Sequence, residues 1–326
     1  MKVFLTGALG NVGAITLQKL LEKDYNVVCF DIKTKQNEKT WKRMSKTQSF
    51  KMVWGDITDL ESVSNAMDSV DCIIHVAAIL PPISEKHPEL AKNVNINGTK
   101  NIIKAAENLP KKPKIIFVSS ISVHGRRMHL EPPVKANDPF NPVNIYTTTK
   151  VEAEKVIRES GLPWTIIRLG GVLPLSSDLK SMPEMFETPY QQRMEFIHVE
   201  DVATALVNAV EANVNEKVLL LGGGEDFQYK SGEFYQRMLG IFGIKELPES
   251  AFKPARPPEK HPDDWYFIDW MDTDEAQKLL DFQNHTMEDY FNDLKDYIGG
   301  LRYLAKLFSP LVYRYLLKKS PYYKKK

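Results

Sequence analysis

Only two cysteines occur in 326 residues, Cys29 and Cys72, and both sit inside apolar, strand-like runs without metal-ligand spacing. A disulfide framework and a thiolate metal centre are therefore excluded, and the expected state is a pair of buried thiols in a reducing cytosol. No uninterrupted apolar stretch reaches the ~20 residues that cross a bilayer. There is no internal repeat and no low-complexity linker. No cluster of histidine and carboxylates has metal-ligand spacing, and no set resembles a hydrolase triad. The first apolar run begins at Lys2 and opens directly into a glycine-rich loop, so it reads as the start of the fold and not as a leader, which places the expected protein in the cytoplasm.

The glycines that are present are concentrated where chemistry needs them. Lys2-Val-Phe-Leu-Thr-Gly-Ala-Leu-Gly-Asn-Val-Gly has glycines at positions 7, 10 and 13. Gly7 permits the turn out of a strand, Gly10 lets phosphates approach the backbone, and Gly13 lets the following helix pack close to the sheet. That helix begins near Asn11 and aims free N–H groups and a positive dipole end at an anion. The next strand, Asn26-Val-Val-Cys-Phe-Asp, closes on Asp31. A carboxylate there accepts from ribose hydroxyls and repels a 2′-phosphate, which favours NAD over NADP.

Apolar runs alternate with amphipathic stretches through the first half. Strands are expected at 2–6, 26–30, 50–54, 71–76, 114–119 and 164–168, with helices at 11–23, 59–68, 93–108 and 145–160. Later strands are expected at 194–197 and 217–221 around a helix at 200–212. This alternation predicts βαβ units and an α/β fold with a Rossmann-like, doubly wound parallel sheet and a small C-terminal substrate-binding lobe. The expected division is a cofactor domain at 1–171, rejoined by 194–221, a substrate lobe at 172–193 and 222–298, and a tail at 299–326. The length suits one large domain or slightly more.

Tyr146 and Lys150 stand four residues apart at the start of an expected helix and so share one face. An ammonium near the phenol favours the phenolate and is expected to lower its pKa. Ser119-Ser120 ends the strand Lys114-Ile-Ile-Phe-Val, at the sheet edge where cofactors lie in doubly wound folds.

With these pieces in order, the chain resembles the extended short-chain dehydrogenase/reductase family, of the NAD-dependent epimerase/dehydratase type. The matching segments are the glycine loop, Asp31, Asp56-Ile57, His75-Val-Ala-Ala, Asn95 in Asn-Ile-Asn-Gly-Thr, Ser119-Ser120, Tyr146-x-x-x-Lys150, Pro163-Trp-Thr-Ile-Ile-Arg168 and Phe196-Ile-His-Val-Glu-Asp201. The resemblance implies Ser120, Tyr146 and Lys150 as the catalytic set. Tyr146 would be the acid/base, Lys150 would hold the nicotinamide ribose, and Ser120 would hydrogen-bond the reacting oxygen. The implied NAD contacts are Gly7, Leu9, Gly10, Asn11, Val12, Gly13, Asp31, Ile32, Asp56, Ile57, Val76, Ala77, Ala78, Ser119, Tyr146, Lys150, Leu169 and Gly171. Ser120, Ser122, His124 and Tyr146 would meet the substrate. Asn95, His75 and His198 are read as structural.

Two departures narrow the implied chemistry. Ile121-Ser122 stands where the family's sugar dehydratases carry Asp-Glu, which argues against dehydration. Only residues 169–195 separate the Arg168 strand from the Phe196 segment, a short cap that favours a small alcohol or ketone over a nucleotide sugar. The expected function is NAD-dependent hydride transfer at a secondary alcohol or ketone. NAD-recycling sugar epimerisation is the alternative, and a non-catalytic NAD-binding scaffold the rival from another class. A homodimer is what the family implies.

The net charge of +1 hides an asymmetry. Residues 299–326 carry eight basic groups and no acid, while the other 298 residues carry 35 basic against 42 acidic. With that acidic body and no recognition module, nucleic acid is not an expected partner. Leucines and aromatics recur through 299–319 at helical spacing, with Pro310 expected to divide the stretch. The two readings are a helix packed on the body or on a dimer partner, and an interfacial helix pair that rests on anionic lipid, in peripheral contact with a membrane, or covers a lipophilic substrate.

Overall fold

In the structure, a computed structural model that describes residues 1–173 and 182–324, the strands are β1 (Lys2–Thr6), β2 (Asn26–Asp31), β3 (Lys51–Trp54), β4 (Cys72–His75), β5 (Lys114–Ser120), β6 (Trp164–Leu169), β7 (Gly171–Leu173), β8 (Arg193–His198), β9 (Lys217–Leu221) and β10 (Gln228–Lys230). The helices are α1 (Asn11–Glu22), α2 (Lys35–Met44), α3 (Leu60–Ala66), α4 (Ile83–Lys86), α5 (Pro88–Lys92), α6 (Thr99–Glu107), α7 (Ile145–Arg158), α8 (Val199–Glu211), α9 (Ser231–Ile241), α10 (Asp274–Leu280), α11 (Met287–Ile298) and α12 (Leu301–Lys319). A π-helical turn, Asn93–Gly98, joins α5 to α6.

Seven strands form one parallel sheet in the order β3-β2-β1-β4-β5-β6-β9. Because successive side chains point to opposite faces, each central strand feeds two cores. Val3, Leu5, Cys29, Ile74, Ile116 and Ile167 pack against Leu17 and Leu20 of α1 and Val202 and Leu206 of α8. Phe4, Phe30, Ile73, Ile115, Phe117 and Ile166 pack against α3, α6 and α7 through Val63, Ile102 and Ile157. Both cysteines are free and buried in the sheet.

Three expectations need correction. β8 does not rejoin the large sheet. It runs parallel to β7 and antiparallel to β10 in a separate three-stranded sheet, with the register Leu173↔His198 and Lys230↔Arg193. α10, expected in the lobe, instead packs on the large core through Ala276 and Leu280. The tail is one continuous helix through Pro310, not two. Proline there removes only one N–H, and residue 306, whose carbonyl loses that donor, is exposed to water.

The lobe has its own core, built from Phe186, Phe196, Phe227, Phe234, Phe252 and Phe291 and closed by Leu316 of α12. Glu195 on β8 ties it to the rest. Its carboxylate accepts from the Met271 N–H at 2.8 Å, the Gln228 amide at 3.0 Å and the Gly224 N–H at 3.2 Å. Burial pushes its pKa up to about 7, against these three donors. Pro174 and the rest of 174–181, part of the expected cap, lie outside the described residues.

Candidate active site

The loop between β1 and α1 turns at Gly7, whose φ of +66° suits a residue without a side chain. A Cβ on Gly7 would lie 2.9 Å from the Ala77 backbone, and one on Gly13 only 2.0 Å from the Gly7 carbonyl oxygen. Gly10 is exposed, caps α1 and has no side chain to fill the end of that helix. The first amides of α1, from Asn11 and Val12, therefore stand at an open helix N-terminus. This is a cradle fitted to a pyrophosphate.

Asp31 ends β2 beside it. One carboxylate oxygen accepts from Leu9 N–H at 2.9 Å, and the other from Ile32 N–H at 2.8 Å and the Asn37 amide at 3.0 Å. Burial raises the Asp31 pKa, opposed by the Leu9 and Ile32 amides. Asn37 was not anticipated, because α2 was not. Val76, Ala77 and Ala78 follow β4 and are half-buried, and the Ala77 N–H donates to Thr6 Oγ1 at 3.3 Å. Asp56 is exposed and accepts from Thr58 N–H at 2.8 Å, while Ile57 is buried against Gly98. Leu169 pairs with Ser120 across β5 and β6, and Gly171 opens β7 with Phe196 opposite.

The hydroxyl groups come together at the C-terminal end of β5. Ser120 stands beside the Tyr146 phenol and pulls its pKa down, and Ser122 Oγ lies 2.7 Å from Ser120 Oγ. Tyr146 begins α7, which is anchored by a reciprocal Asn144–Thr147 capping box. Glu85 on α4 adds a carboxylate to the same end, accepting from Tyr146 N–H at 3.0 Å and Ile145 N–H at 3.2 Å. An anion there complements the helix dipole and pins the first turn.

About two turns of α7 place Lys150 and Glu154 behind the tyrosine, at four-residue steps along one face. Lys150 Nζ donates to the Val118 carbonyl at 2.6 Å and lies 4.4 Å from the Phe117 ring centre. Burial lowers its pKa to about 8, with Glu154 pulling it back up. The expected depression of the tyrosine is not found. Burial pushes Tyr146 up to about 12, and Ser120 offsets it only in part. The ammonium is spent on the β5 carbonyl, and the cost of burying a phenolate outweighs what it returns.

Glu154 is fully buried and grips Arg168 with two bonds, 2.9 Å to Nε and 2.7 Å to Nη2. It also accepts from Ser119 Oγ at 2.7 Å. Burial would raise its pKa, but Arg168, Ser119 and Arg158 together hold it below the usual carboxylate range. Two of the residues expected to make contacts have their side chains engaged within the protein. The Ser119 hydroxyl is held by Glu154. His124 is buried, with Nδ1 donating to the Pro139 carbonyl at 3.2 Å and Nε2 accepting from Arg168 at 2.9 Å, so both ring nitrogens are engaged inside the protein. Burial and Arg168 lower its pKa to about 4, consistent with a neutral acceptor ring. Ser122 is buried behind Ser120 and backs it.

The residues read as structural each make hydrogen bonds within the protein. His75 bridges Thr6 at 2.7 Å and Thr99 at 3.0 Å. Asn95 ties α7 to the loop after β4 through the Ile79 backbone and Thr149. His198 caps α8 through Glu200 N–H. Glu154 had a signal in the sequence, its four-residue spacing from Lys150. Glu85 had none, since 60 residues separate it from Ile145.

The described residues contain no group of three or more histidine, cysteine or carboxylate side chains able to hold a metal. A dinucleotide cradle beside a serine–tyrosine–lysine cluster defines an NAD-dependent enzyme. The sequence profile of the NAD-dependent epimerase/dehydratase family matches residues 3–222, and the chain belongs to that family. It is 28% identical over 247 residues to a putative UDP-glucose 4-epimerase of Methanocaldococcus jannaschii, covering 69% of this chain and 77% of that protein. It is 29% identical over 182 residues to a 3-beta-hydroxysteroid dehydrogenase of Mycolicibacterium neoaurum, covering 52% of this chain and 47% of the other, about half its length. The fold is similar to that of UDP-glucuronic acid 4-epimerase from Bacillus cereus, solved with UDP-glucuronic acid and NAD, with a TM-score of 0.73 at 22% identity over 91% of this chain and 99% of that one.

Proposed function

We propose that the chain catalyses hydride transfer at a secondary alcohol or ketone, with Tyr146 as the acid/base. The observation that carries this reading is the cluster at the C-terminal edge of the sheet, where the bonded Ser122–Ser120 pair stands beside the Tyr146 phenol with Lys150 behind it. Gly7, Gly10, Gly13 and the α1 amides would hold the NAD pyrophosphate, and Asp31 the adenosine ribose. NAD, when bound, supplies the hydride acceptor for oxidation and, reduced, the donor for reduction.

A phenol with a pKa of about 12 keeps its proton at neutral pH, so Tyr146 is set as an acid. In reduction it gives that proton to the substrate carbonyl oxygen as the alcohol forms. The phenolate left behind accepts from Ser120, whose own oxygen accepts from Ser122 Oγ and from Ser122 N–H at 3.2 Å. In oxidation the same phenolate takes the hydroxyl proton. The cluster is thus a donor chain that strengthens as charge develops on Tyr146.

A second reading, NAD-recycling epimerisation of a sugar, is supported by the M. jannaschii relative, whose likeness spans more of both chains than the steroid dehydrogenase does. Both readings need the same tyrosine. Tyr146→Phe should lower turnover by at least about a thousandfold while NAD binding stays within a few-fold, since the phenol supplies the proton and not the cofactor cradle. Unchanged turnover on any accepted alcohol or sugar would refute the acid/base role. NAD retained near stoichiometrically by the purified protein would favour epimerisation, and ready exchange would favour net oxidoreduction.

A further inference from the structure

The helix α12 is attached to the lobe by only part of its circumference. Leu316 is buried, and Ala305, Val312, Tyr313 and Leu317 rest on the lobe core. The opposite face presents Leu301, Leu304, Leu307, Phe308, Leu311 and Tyr315 to water, with exposures between 49% and 74%. Their three- and four-residue spacing stacks them into one stripe along the helix. So many large apolar groups in one stripe mark a surface that is covered in use.

The charge around the stripe says what covers it. Arg302, Lys306, Arg314, Lys318 and Lys319 lie on α12, and none of them has an acidic partner within 4.0 Å among the described residues. The pattern continues on a second element that sequence reading had passed over. Lys35, Lys39, Lys42, Arg43 and Lys46, on and just after α2, line an open groove together with Tyr297, two residues before the Gly299–Gly300 link into α12. These five also have no ion-pair partner among the described residues, although Glu38 lies on the same helix and pairs with Lys33. Unpaired cations on two elements fit an extended anionic surface, and the leucine stripe on α12 fits its acyl boundary. No helix among the described residues is long and apolar enough to cross a membrane, so the geometry is that of lying on a bilayer.

We propose that α12 docks the chain on an anionic lipid surface, with the basic face of α2, which meets Tyr297 just before α12, as a second cationic contact. The stripe enters the headgroup boundary while the cations meet lipid phosphates and carboxylates. A protein or RNA partner does not combine these needs as well, because neither pairs a broad anionic field with a continuous apolar one. The inference does not depend on the reaction assigned above, and its test reads no activity.

The test is co-sedimentation of the full chain with vesicles of phosphatidylserine and phosphatidylcholine in equal parts, against phosphatidylcholine alone. Binding to the mixed vesicles that falls at least about tenfold without the anionic lipid or at high salt is expected. Leu307→Glu/Leu311→Glu should reduce it about a hundredfold or more, because both side chains are exposed and take no part in the lobe core. Lys39→Glu/Lys42→Glu should reduce it about tenfold or more while leaving the stripe intact. An unchanged melting temperature in each variant establishes that the fold survives. No sedimentation of the full chain, or equal sedimentation of the stripe variant, would overturn the proposal. So would a solution dimer, or an RNA complex, that the stripe variant abolishes in a chain with no vesicle binding.

Discussion

Replacing Glu154 by glutamine tests whether the helix that carries Tyr146 and Lys150 is held by a buried ion pair. The carboxylate is fully buried and accepts from Arg168 Nε, Arg168 Nη2 and Ser119, all at 2.9 Å or less. An amide keeps the shape, loses the charge and turns one acceptor into a donor facing the guanidinium. Arg168 is then a buried cation without its counter-ion, a change that costs about 3–5 kcal/mol. At roughly 2 cal/mol/K per residue, a chain of this length loses about 1–2 °C of melting temperature per kcal/mol, so the expected drop is about 4–8 °C. Differential scanning calorimetry measures it, with Glu152→Gln as control. Glu152 lies on the same helix in an exposed pair with Lys155, and its loss should cost under about 0.5 kcal/mol. The sign with pH follows from the depressed Glu154 pKa. Its contribution is present above the unfolded carboxylate pKa and is lost as pH falls through the lower folded value, so wild type and variant should converge in acid. Melting temperatures within about 1 °C of each other at neutral pH would refute the account, as would a gap that widens in acid.

Other outcomes follow from the same geometry. Gly13→Ala places a methyl 2.0 Å from the Gly7 carbonyl oxygen, so calorimetric titration should show NAD affinity falling at least about tenfold; Gly240→Ala, where that carbon meets only open space within α9, should leave NAD binding unchanged and stabilise by about 0.5–1 kcal/mol. Lys150 titrates near 8 when folded, below the usual lysine value, so its burial penalty is full below pH 8 and relieved as pH rises towards 10.5. Denaturant titrations of wild type against Lys150→Met should show a difference changing by roughly 3 kcal/mol across that window, and a flat difference would contradict the assigned burial of the ammonium.

The large sheet was legible because its strands are buried on both faces and so read as unbroken apolar runs between turn signals. The glycine loop and Asp31 were legible because their task is local, a turn and the end of a strand. α2 was missed for the opposite reason. Thr40 is its one buried residue, so the helix has almost no apolar period to detect. The place of β8 was hidden because pairing partners are chosen across the fold, and nothing inside Arg193–His198 distinguishes a strand of one sheet from a strand of another. The shift of Tyr146 was misjudged on energetics. Spacing brings lysine and tyrosine onto one face, but only burial decides whether desolvation or attraction prevails.

The division between the cofactor half and the lobe also bears on how such a chain can change its substrate. The backbone leaves the large sheet after Leu169, re-enters the large core at Ile197, leaves after Leu221, returns at Ala276 and leaves again by Met287. Glu195 and the Val134↔Met271 bridge stitch these passages together. A lobe threaded in this way is not a module that recombination can lift out with a single pair of cuts. Any donor segment arrives with half of a sheet, half of a buried hydrogen-bond set, or neither. New specificity on this scaffold has to accumulate by substitution in place, under the constraint that each step keeps both cores closed.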